Sequence, residues 1–286
     1  MEGQGKKVIV YGVLTYNDRY EVLAKTLSTL LNCETIICHN GCKQPILFYT
    51  TNNIILNDNI GSSGGYKAII EYFETKYTDN DCLVLLDDDN CLSDSFHENL
   101  KKYINPDLKL AGCYRASRSR NRLEYFHKSY RYFDEDNYFG LNIFRQKREY
   151  SNYLGVVPFG GMVLSHGFIK DIGLPKESYF VYGDDIEYSL RAKKLNQRIS
   201  FFEDCLIVDQ FSSTSHTEKR HRYFQESLSN ELLHFQLTNH RSLSYITKSS
   251  YKFYVNKFLF ILKIMWDALS SKTTVKQFLF VLNRII

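Results

Sequence analysis

The sequence of 286 residues lacks the cysteine patterns of a zinc-binding or disulfide-rich protein. Its seven cysteines form no CxxC pair. Cys38 and Cys42 lie four residues apart, but no nearby His or Cys completes a plausible zinc set. An odd, unpatterned set of cysteines is typical of proteins in a reducing compartment. We therefore expect a cytoplasmic protein.

The sequence also lacks segments that would direct export or cross a membrane. The longest purely apolar run near the C-terminus covers residues 258–262, far short of the roughly 20 residues that span a bilayer. The first ten residues, MEGQGKKVIV, lead directly into a predicted strand, so we expect no signal peptide. We find no internal repeat and no low-complexity linker.

Acidic residues are scarce towards the C-terminus. Residues 241–286 contain eight Lys and Arg but one acid, Asp267, so their net charge is +7, against −3 for residues 1–240. A helix over residues 252–269 would carry one narrow polar stripe, with apolar and aromatic residues around the rest; the stripe consists of Lys252, Asn256, Lys263 and Asp267. We predict a domain at 1–240 and a basic amphipathic helical tail at 241–286, which lies on an anionic membrane surface or packs on protein.

Short apolar runs and helical patterns alternate along the rest of the chain. Strands are predicted at residues 8–14, 35–38, 83–86, 108–114, 199–202 and 205–208. After the glycine turn NIGSSGG, a helix is predicted with one apolar face, formed by Tyr66, Ile69, Ile70, Phe73 and Tyr77. Residues 115–122 read as a basic loop. This alternation predicts an α/β fold with a mostly parallel sheet covered by helices on both faces.

Three adjacent carboxylates, Asp87, Asp88 and Asp89, follow the predicted strand LVLL. In α/β sheets, ligands collect beyond the carboxyl ends of strands. Asp87 and Asp89 point the same way along a strand, and one or two carboxylates completed by substrate phosphates are a usual ligand set for Mg²⁺. Asp88 is expected to hold a ribose hydroxyl or a backbone amide. A solvated acidic turn is the alternative for the triplet alone.

A second acidic pair, Asp184 and Asp185, precedes a helical pattern in GDDIEYSLR. We interpret Asp184 as an N-cap, with Glu187 three residues later completing a capping box. Asp185 is then the first helical residue. Its carboxylate either complements the helix dipole or accepts a proton from a substrate hydroxyl.

Taken together, these motifs resemble a known family. TYN, NIGSSGG, LLDDDN, the glycine pair at 160–161 and GLPKESYFVYGDDIEYSLR follow the order seen in family 2 inverting glycosyltransferases of the GT-A fold. They are most similar to the bacterial branch that contains rhamnosyl- and galactofuranosyltransferases. The resemblance covers residues 7–240. It implies a GT-A fold, which is Rossmann-like, with a mostly parallel sheet and flanking helices.

The resemblance implies a role for each matching residue. Asp87 and Asp89 match the DxD motif, which binds Mn²⁺ or Mg²⁺ and the donor diphosphate, and Asp185 matches the catalytic base. His216 is the expected further metal ligand, with Asp209 as the alternative. His39 stands where the family often has an acid that contacts the base of the nucleotide. Nucleotide-sugar binding is implied for Thr15, Tyr16, Asn17, Asn40, Asn59, Gly64, Gly65, Asp87, Asp88, Gly160, Gly161 and Asp184.

The implied activity is transfer of a sugar, with inversion, from a nucleotide-diphosphate donor such as UDP-galactofuranose. The sugar would be transferred to a hydroxyl of a lipid-linked or oligosaccharide acceptor in bacterial O-antigen or capsule synthesis. The implied location is the cytoplasm. Peripheral contact with the inner face of the cell membrane and oligomerisation are both left open. Nucleic-acid binding is disfavoured because the basic tail is mostly hydrophobic. Two alternatives are a sugar-1-phosphate nucleotidyltransferase, which usually has a glycine-rich basic signature near the first strand, and a non-catalytic partner of the same fold.

Overall fold

The computed structural model describes residues 7–45, 52–119, 122–125, 153–211 and 251–270, with a few single positions beyond. The chain divides into two compact units. The first contains every described strand and the described helices up to residue 194, and the second contains the helix at 251–270. The predicted boundary at residue 240 falls outside the described residues and stays a prediction.

The first unit alternates strands and helices in its N-terminal half. Its described strands are β1 (Ile9–Tyr16), β2 (Glu34–Asn40), β3 (Asn52–Leu56), β4 (Cys82–Asp87), β5 (Asn90–Leu92), β6 (Leu110–Ser119), β7 (Arg122–Tyr125), β8 (Tyr153–Leu154), β9 (Met162–Ser165) and β10 (Ile199–Asp209). Its described α-helices are α1 (Tyr20–Ser28), α2 (Gly61–Lys76), α3 (Phe96–Tyr103), α4 (His166–Ile172) and α5 (Asp184–Lys194).

All these strands join one sheet. Its order is β3-β2-β1-β4-β9-β6-β10-β5, with β7 beside β6 and β8 beside β10. The strands β3, β2, β1 and β4 pair in parallel, so their carboxyl ends meet at one edge. Beyond β4 the sheet is mixed, because β9 runs antiparallel to both neighbours while β6 and β10 are parallel. The predicted α/β class is confirmed.

Alternate residues of the central strands enter two cores on opposite faces of the sheet. On β4, Leu83 and Leu85 pack in the core that contains the apolar face of α2. Val84 and Leu86 belong to the other core, which contains α3. Burial on both faces explains why this strand is a continuous apolar run rather than an alternating one. The predicted apolar face of α2 is buried at Tyr66, Ile69, Ile70 and Phe73.

Two local predictions are wrong. Residues 115–119, predicted as loop, continue β6, and Arg122–Tyr125 pairs with them as β7. Strands were predicted from apolar residues, and this sequence is polar. Backbone hydrogen bonding between strands does not require apolar side chains, so a polar sequence can also form a strand. The runs at 199–202 and 205–208 are one strand, β10, whose pairing with β6 shifts register between Phe202 and Leu206.

In the second unit, a helix that we call α6 spans Tyr251–Ser270. Over the described residues, no helix combines the length and the apolar character that crossing a membrane requires.

Candidate active site

The structure places the three consecutive carboxylates in different surroundings. Asp87 is the last residue of β4, and Asp88 and Asp89 form the turn into β5. The side chain of Asp87 is 40% exposed, whereas that of Asp88 is only 2% exposed and that of Asp89 is 23% exposed. Only Asp87 and Asp89 are therefore accessible to a ligand.

Asp88 stabilises the loop between β1 and α1. It accepts a hydrogen bond from Thr15 Oγ1 at 2.9 Å and forms an ion pair with Arg19 at 2.8 Å. The backbone N–H of Tyr16 also donates to it, and burial raises the pKa of Asp88 to about 6, partly offset by Arg19. Asp88 thus holds a backbone amide, one of its two predicted roles.

Asp87 is oriented by two neighbouring side chains. The Tyr66 hydroxyl, on α2, donates to Asp87 Oδ1 at 2.6 Å. The guanidinium of Arg115, on β6, lies 3.4 Å from Oδ2. The Asp87 backbone N–H donates to Asn90 Oδ1 at 2.9 Å. These contacts fix the carboxylate at the edge of the sheet while leaving it accessible.

Arg115 links Asp87 to a further buried acid, Asp209, at the end of β10. Its Nη2 donates to both Asp209 oxygens, at 2.9 and 3.0 Å, and its Nη1 donates to the Gly160 carbonyl at 2.9 Å. Asn90 Nδ2 also donates to Asp209 at 2.9 Å. Asp209 is only 5% exposed and is held by Arg115 and Asn90, so it is less accessible to a metal ion than Asp87, whose side chain is 40% exposed. The alternative, His216, lies outside the described residues.

Asp89 lies among other acidic side chains. Burial and the charges of Asp87, Asp209 and Asp88 raise the pKa of Asp89 to about 7. Arg19 Nη2 lies 4.0 Å from the Asp89 carboxylate, and the charge of Arg115 partly offsets the increase in its pKa. A divalent cation would remove the repulsion between these carboxylates. Mg²⁺ usually takes one or two carboxylate ligands, and Asp87 and Asp89 could supply them. Within the described ranges, no three His, Cys, Asp or Glu side chains converge as a complete metal site.

The second acidic pair begins α5. Ser62 Oγ donates to Asp184 Oδ2 at 2.6 Å, and the Ile186 N–H donates to Asp185 Oδ1 at 2.8 Å. Burial raises the pKa of Asp184 to about 6. Burial together with the charge of Asp184 raises the pKa of Asp185 to about 7. The charge of Asp87 adds to both increases, so the two acidic clusters lie within electrostatic reach of each other.

Helix α2 connects these clusters. Ser62 and Tyr66 are four residues apart, which places them one turn apart on the same helix face. Ser62 donates to Asp184 and Tyr66 donates to Asp87. The triplet after β4 and the pair at the start of α5 therefore flank the same end of one helix, although 97 positions separate Asp87 from Asp184.

Comparison with known proteins identifies the family of the chain. The family described as "Glycosyltransferase like family 2" matches residues 13–228 of the 286-residue chain. The chain belongs to this family. No curated protein matches it significantly.

Solved structures with a similar fold include a glycosyltransferase. GalNAc-T7, determined with UDP, GalNAc and Mn²⁺, has a TM-score of 0.61 at 11% identity, over 85% of this chain and 48% of that chain. This family 2 chain thus spans about half the length of GalNAc-T7, and at such low identity the likeness shows the fold alone. A197 from STIV has a TM-score of 0.45 at 12% identity, over 72% of this chain and 86% of that chain. The predicted GT-A fold is confirmed.

In this family 2 chain, several residues predicted to bind the nucleotide shape the turn before α2. Asn40 Nδ2 donates to the Gly61 carbonyl at 2.9 Å and to Asn59 Oδ1 at 3.1 Å. Asn59 Oδ1 also accepts from the Gly61 N–H at 2.9 Å. A Cβ atom on Gly64 or Gly65 would lie within 2.6 Å of side chains packed against α2. These residues set the position of the helix that carries Ser62 and Tyr66.

The remaining predicted residues lie at the same edge of the sheet. Tyr16 is exposed, with the Arg19 guanidinium 5.2 Å from its ring centroid, and Asn17 has a positive φ of 52°. Gly161 also has a positive φ, 100°, and its N–H donates to the Leu85 carbonyl at 2.7 Å. His39 is fully buried, with Nε2 3.1 Å from Asn53 Oδ1.

One predicted local arrangement is wrong. Glu187 does not complete a capping box with Asp184, because its buried carboxylate pairs with Lys176 at 2.8 Å and Arg191 at 3.0 Å. The helix begins at Asp184 itself. Arg191 also donates to the carbonyls of Ile172, the last residue of α4, and of Leu174, which is a structural role.

Sequence reasoning missed the residues that orient the acids, namely Arg19, Ser62, Tyr66, Asn90 and Arg115. One signal was available for Arg115, because it directly follows the predicted strand at 108–114, where ligand-binding residues collect. Tyr66 was assigned only to the apolar helix face, although its hydroxyl requires a partner when the ring is buried.

Proposed function

We propose that this chain is an inverting glycosyltransferase that moves a sugar from a nucleotide-diphosphate donor to an acceptor hydroxyl. The observation that carries the proposal is the pair of contacts made by α2, from Ser62 to Asp184 and from Tyr66 to Asp87. These contacts attach both carboxylate clusters to one helix, which supports a donor-side role for one cluster and an acceptor-side role for the other. Family membership supports the same reaction class.

Asp185 is the proposed general base. Its half-buried carboxylate has a pKa raised to about 7, near the value at which a base works best in neutral solution. It takes the proton from the acceptor hydroxyl, and the acceptor oxygen forms a bond to the anomeric carbon. The bond between that carbon and the diphosphate breaks, and its electron pair leaves with the nucleoside diphosphate. Attack opposite the leaving group inverts the anomeric configuration.

Asp87 and Asp89 are the proposed donor-side residues. They would hold Mn²⁺ or Mg²⁺, which when bound neutralises charge on the departing diphosphate. Tyr66 and Arg115 keep the Asp87 carboxylate in place for this role. A UDP-sugar is the proposed donor, supported by the motif resemblance and by a similar fold that was determined with UDP and Mn²⁺. Transfer of galactofuranose to a glycan or lipid-linked glycan of a bacterial surface polysaccharide is the specific reaction proposed.

A donor panel tests this function. The chain is incubated with UDP-galactofuranose, UDP-galactose, UDP-glucose and dTDP-rhamnose, with Mn²⁺ or Mg²⁺ and oligosaccharide acceptors, and release of nucleoside diphosphate is measured. We expect release with one donor and its loss with EDTA. Pyrophosphate release from a nucleoside triphosphate and a sugar 1-phosphate would instead identify a nucleotidyltransferase. No turnover of any donor would favour a non-catalytic partner.

Asp185→Asn tests the base. The variant should bind UDP with Mn²⁺ normally and transfer sugar about 10²- to 10⁴-fold more slowly, because the acceptor hydroxyl loses its proton acceptor. Asp171→Asn, at an exposed position of α4, is the matched control and should leave both properties unchanged. An Asp185→Asn variant that transfers sugar at the normal rate would show that the base lies elsewhere.

The same pair of proteins gives a pH test. Because the raised pKa of Asp185 is about 7, the wild-type rate should rise with pH through about 7 as the carboxylate loses its proton. In Asp185→Asn, measured at saturating Mn²⁺ so that titration of Asp89 does not contribute, this limb of the profile of kcat/KM should disappear. The assignment is wrong if the variant keeps the limb at the same pH.

A further inference from the structure

Helix α6 presents a stripe of exposed apolar side chains, which we call the α6 stripe. Its members are between 39% and 83% exposed and consist of Val255, Phe258, Leu262, Met265, Trp266 and Leu269. Their spacing of mainly three and four residues places them on one face of the helix, roughly 100° wide. Phe260 lies off this face and is buried, at 6% exposure. The helix therefore has an inward side and a distinct apolar side that faces solvent.

Contiguous exposed apolar surface of this kind marks an interaction site. Three occupants are compatible with a helical apolar face: a lipid surface, a second copy of the chain, or another protein. The charge of the surrounding segment separates the first two. Residues 241–286 carry a net charge of +7, and the helix itself contains Lys252, Lys257 and Lys263 against the single acid Asp267.

This charge favours anionic lipid over a second copy. Two copies joined through the α6 stripe would bring two segments of +7 together, and like charges repel. An anionic membrane surface instead attracts such a segment, by an amount that grows with each Lys or Arg near the headgroups. Lys263 is exposed on the helix that carries the stripe, so it remains available to the headgroups.

We propose that α6 binds an anionic membrane surface, lying along it with the α6 stripe inserted at the boundary between headgroups and acyl chains. An amphipathic helix rich in Lys with Trp, Phe and Leu on its apolar face binds in this way. Trp266 and Phe258 add aromatic rings, which concentrate at membrane interfaces. The inference rests on the residues of α6 and does not depend on the proposed glycosyl transfer.

Trp266 makes the test direct. It is the single tryptophan of the chain and is 73% exposed, so tryptophan fluorescence reports on α6 alone. The full chain is titrated with vesicles of phosphatidylcholine, with or without phosphatidylglycerol. We expect a blue shift and protection from acrylamide quenching with the anionic vesicles, a much smaller effect with neutral ones, and reversal by high salt.

Variants test whether the α6 stripe and Lys263 are responsible for membrane binding. Phe258→Ser should lower partitioning into anionic vesicles at least about tenfold, because a buried Phe contributes at least this much. Lys263→Gln should lower it about fivefold. Leu31→Ser, which changes an apolar residue of the first unit that is 74% exposed, is the control and should bind like wild type.

Three results would overturn the proposal. One is no fluorescence change with anionic vesicles. Another is equal binding to neutral and anionic vesicles, which would remove the role of charge. The third is a blue shift that depends on protein concentration without lipid, which would identify a second copy as the occupant. None of these readouts requires sugar transfer. Failure of the proposed enzyme activity can therefore be distinguished from failure of the proposed membrane binding.

Discussion

Gly160 lies where a side chain would meet the acid cluster. A Cβ atom at this position would be 2.3 Å from Asp87 Oδ2, 2.6 Å from Asn90 Oδ1 and 2.7 Å from Arg115 Nη1. These three groups are joined to one another, since Asn90 Oδ1 accepts from the Asp87 backbone and Arg115 pairs with Asp87. They cannot move apart independently, so the absence of a side chain keeps the carboxylate in place.

Gly160→Ala should therefore disturb the site more than the fold. Its φ lies outside the left-handed region, so alanine is allowed there, but the added methyl group must displace Asp87 or Arg115. Overpacking costs about 1–3 kcal/mol, so we expect affinity for UDP with Mn²⁺ to fall about tenfold or more, measured by titration calorimetry. Gly167→Ala, in α4 with no atom within 4 Å of the added Cβ, should bind normally. Equal affinities for both variants would contradict this role of Gly160.

At the scale of elements, α2 determines how the two acidic clusters meet. Its close packing on the sheet depends on glycine, because a Cβ on Gly65 would lie 2.4 Å from Leu14 Cδ1. Its first residue, Gly61, has a positive φ of 77°, and a Cβ there would lie 2.1 Å from the Phe180 carbonyl oxygen. The start of the helix is thus fixed by backbone approach, which fixes Ser62 and Tyr66.

Tyr66→Phe tests this element. The ring should stay packed against Phe159, whose centroid lies 4.7 Å away, while Asp87 loses a hydrogen bond. Hydrogen bonds to charged groups contribute about 1.5–3 kcal/mol, and because Asp87 is partly exposed we expect the lower end, about a tenfold loss of affinity for UDP with Mn²⁺. Tyr72→Phe makes the same change on α2 at a hydroxyl bonded to Asn52 and serves as control. Comparable losses in the two variants would count against a specific role for Tyr66.

The same elements show what sequence alone predicts. Burial of apolar groups set the periodicity of α2 and the continuous run in β4, so both were predicted, as were Asp87 and Asp185 as candidate site residues. The partners of the acids were not. Thr15 reaches Asp88 across 73 positions and Arg115 reaches Asp209 across 94. Such pairs depend on the order of strands in the sheet, which local periodicity does not contain.

At the scale of the whole molecule, acids are concentrated at one edge of the sheet. In the folded state the pKa is raised to about 6 or 7 for Asp88, Asp89, Asp184 and Asp185. A carboxyl group whose folded pKa exceeds its unfolded value of about 4 binds a proton more tightly when folded. These groups therefore support the fold most at low pH, and their contribution declines as the pH rises from about 4 through 7. Above that range, ionised acids destabilise the cation-free chain.

A cation bound with substrate should offset this loss, and Asp89 provides the test. At pH 8, Mn²⁺ with UDP at 100 times the dissociation constant should add about 2.7 kcal/mol and raise Tm by about 5 °C, with a smaller rise at pH 5, where the acids are protonated. Asp89→Asn should raise the cation-free Tm at pH 8, because it removes a repelled charge, and should abolish the part of the shift that requires Mn²⁺. Asp107→Asn, at an exposed position, should keep the wild-type shift. Thermal unfolding with and without Mn²⁺ measures each value, and a full Mn²⁺-dependent shift in Asp89→Asn would exclude Asp89 from the cation site.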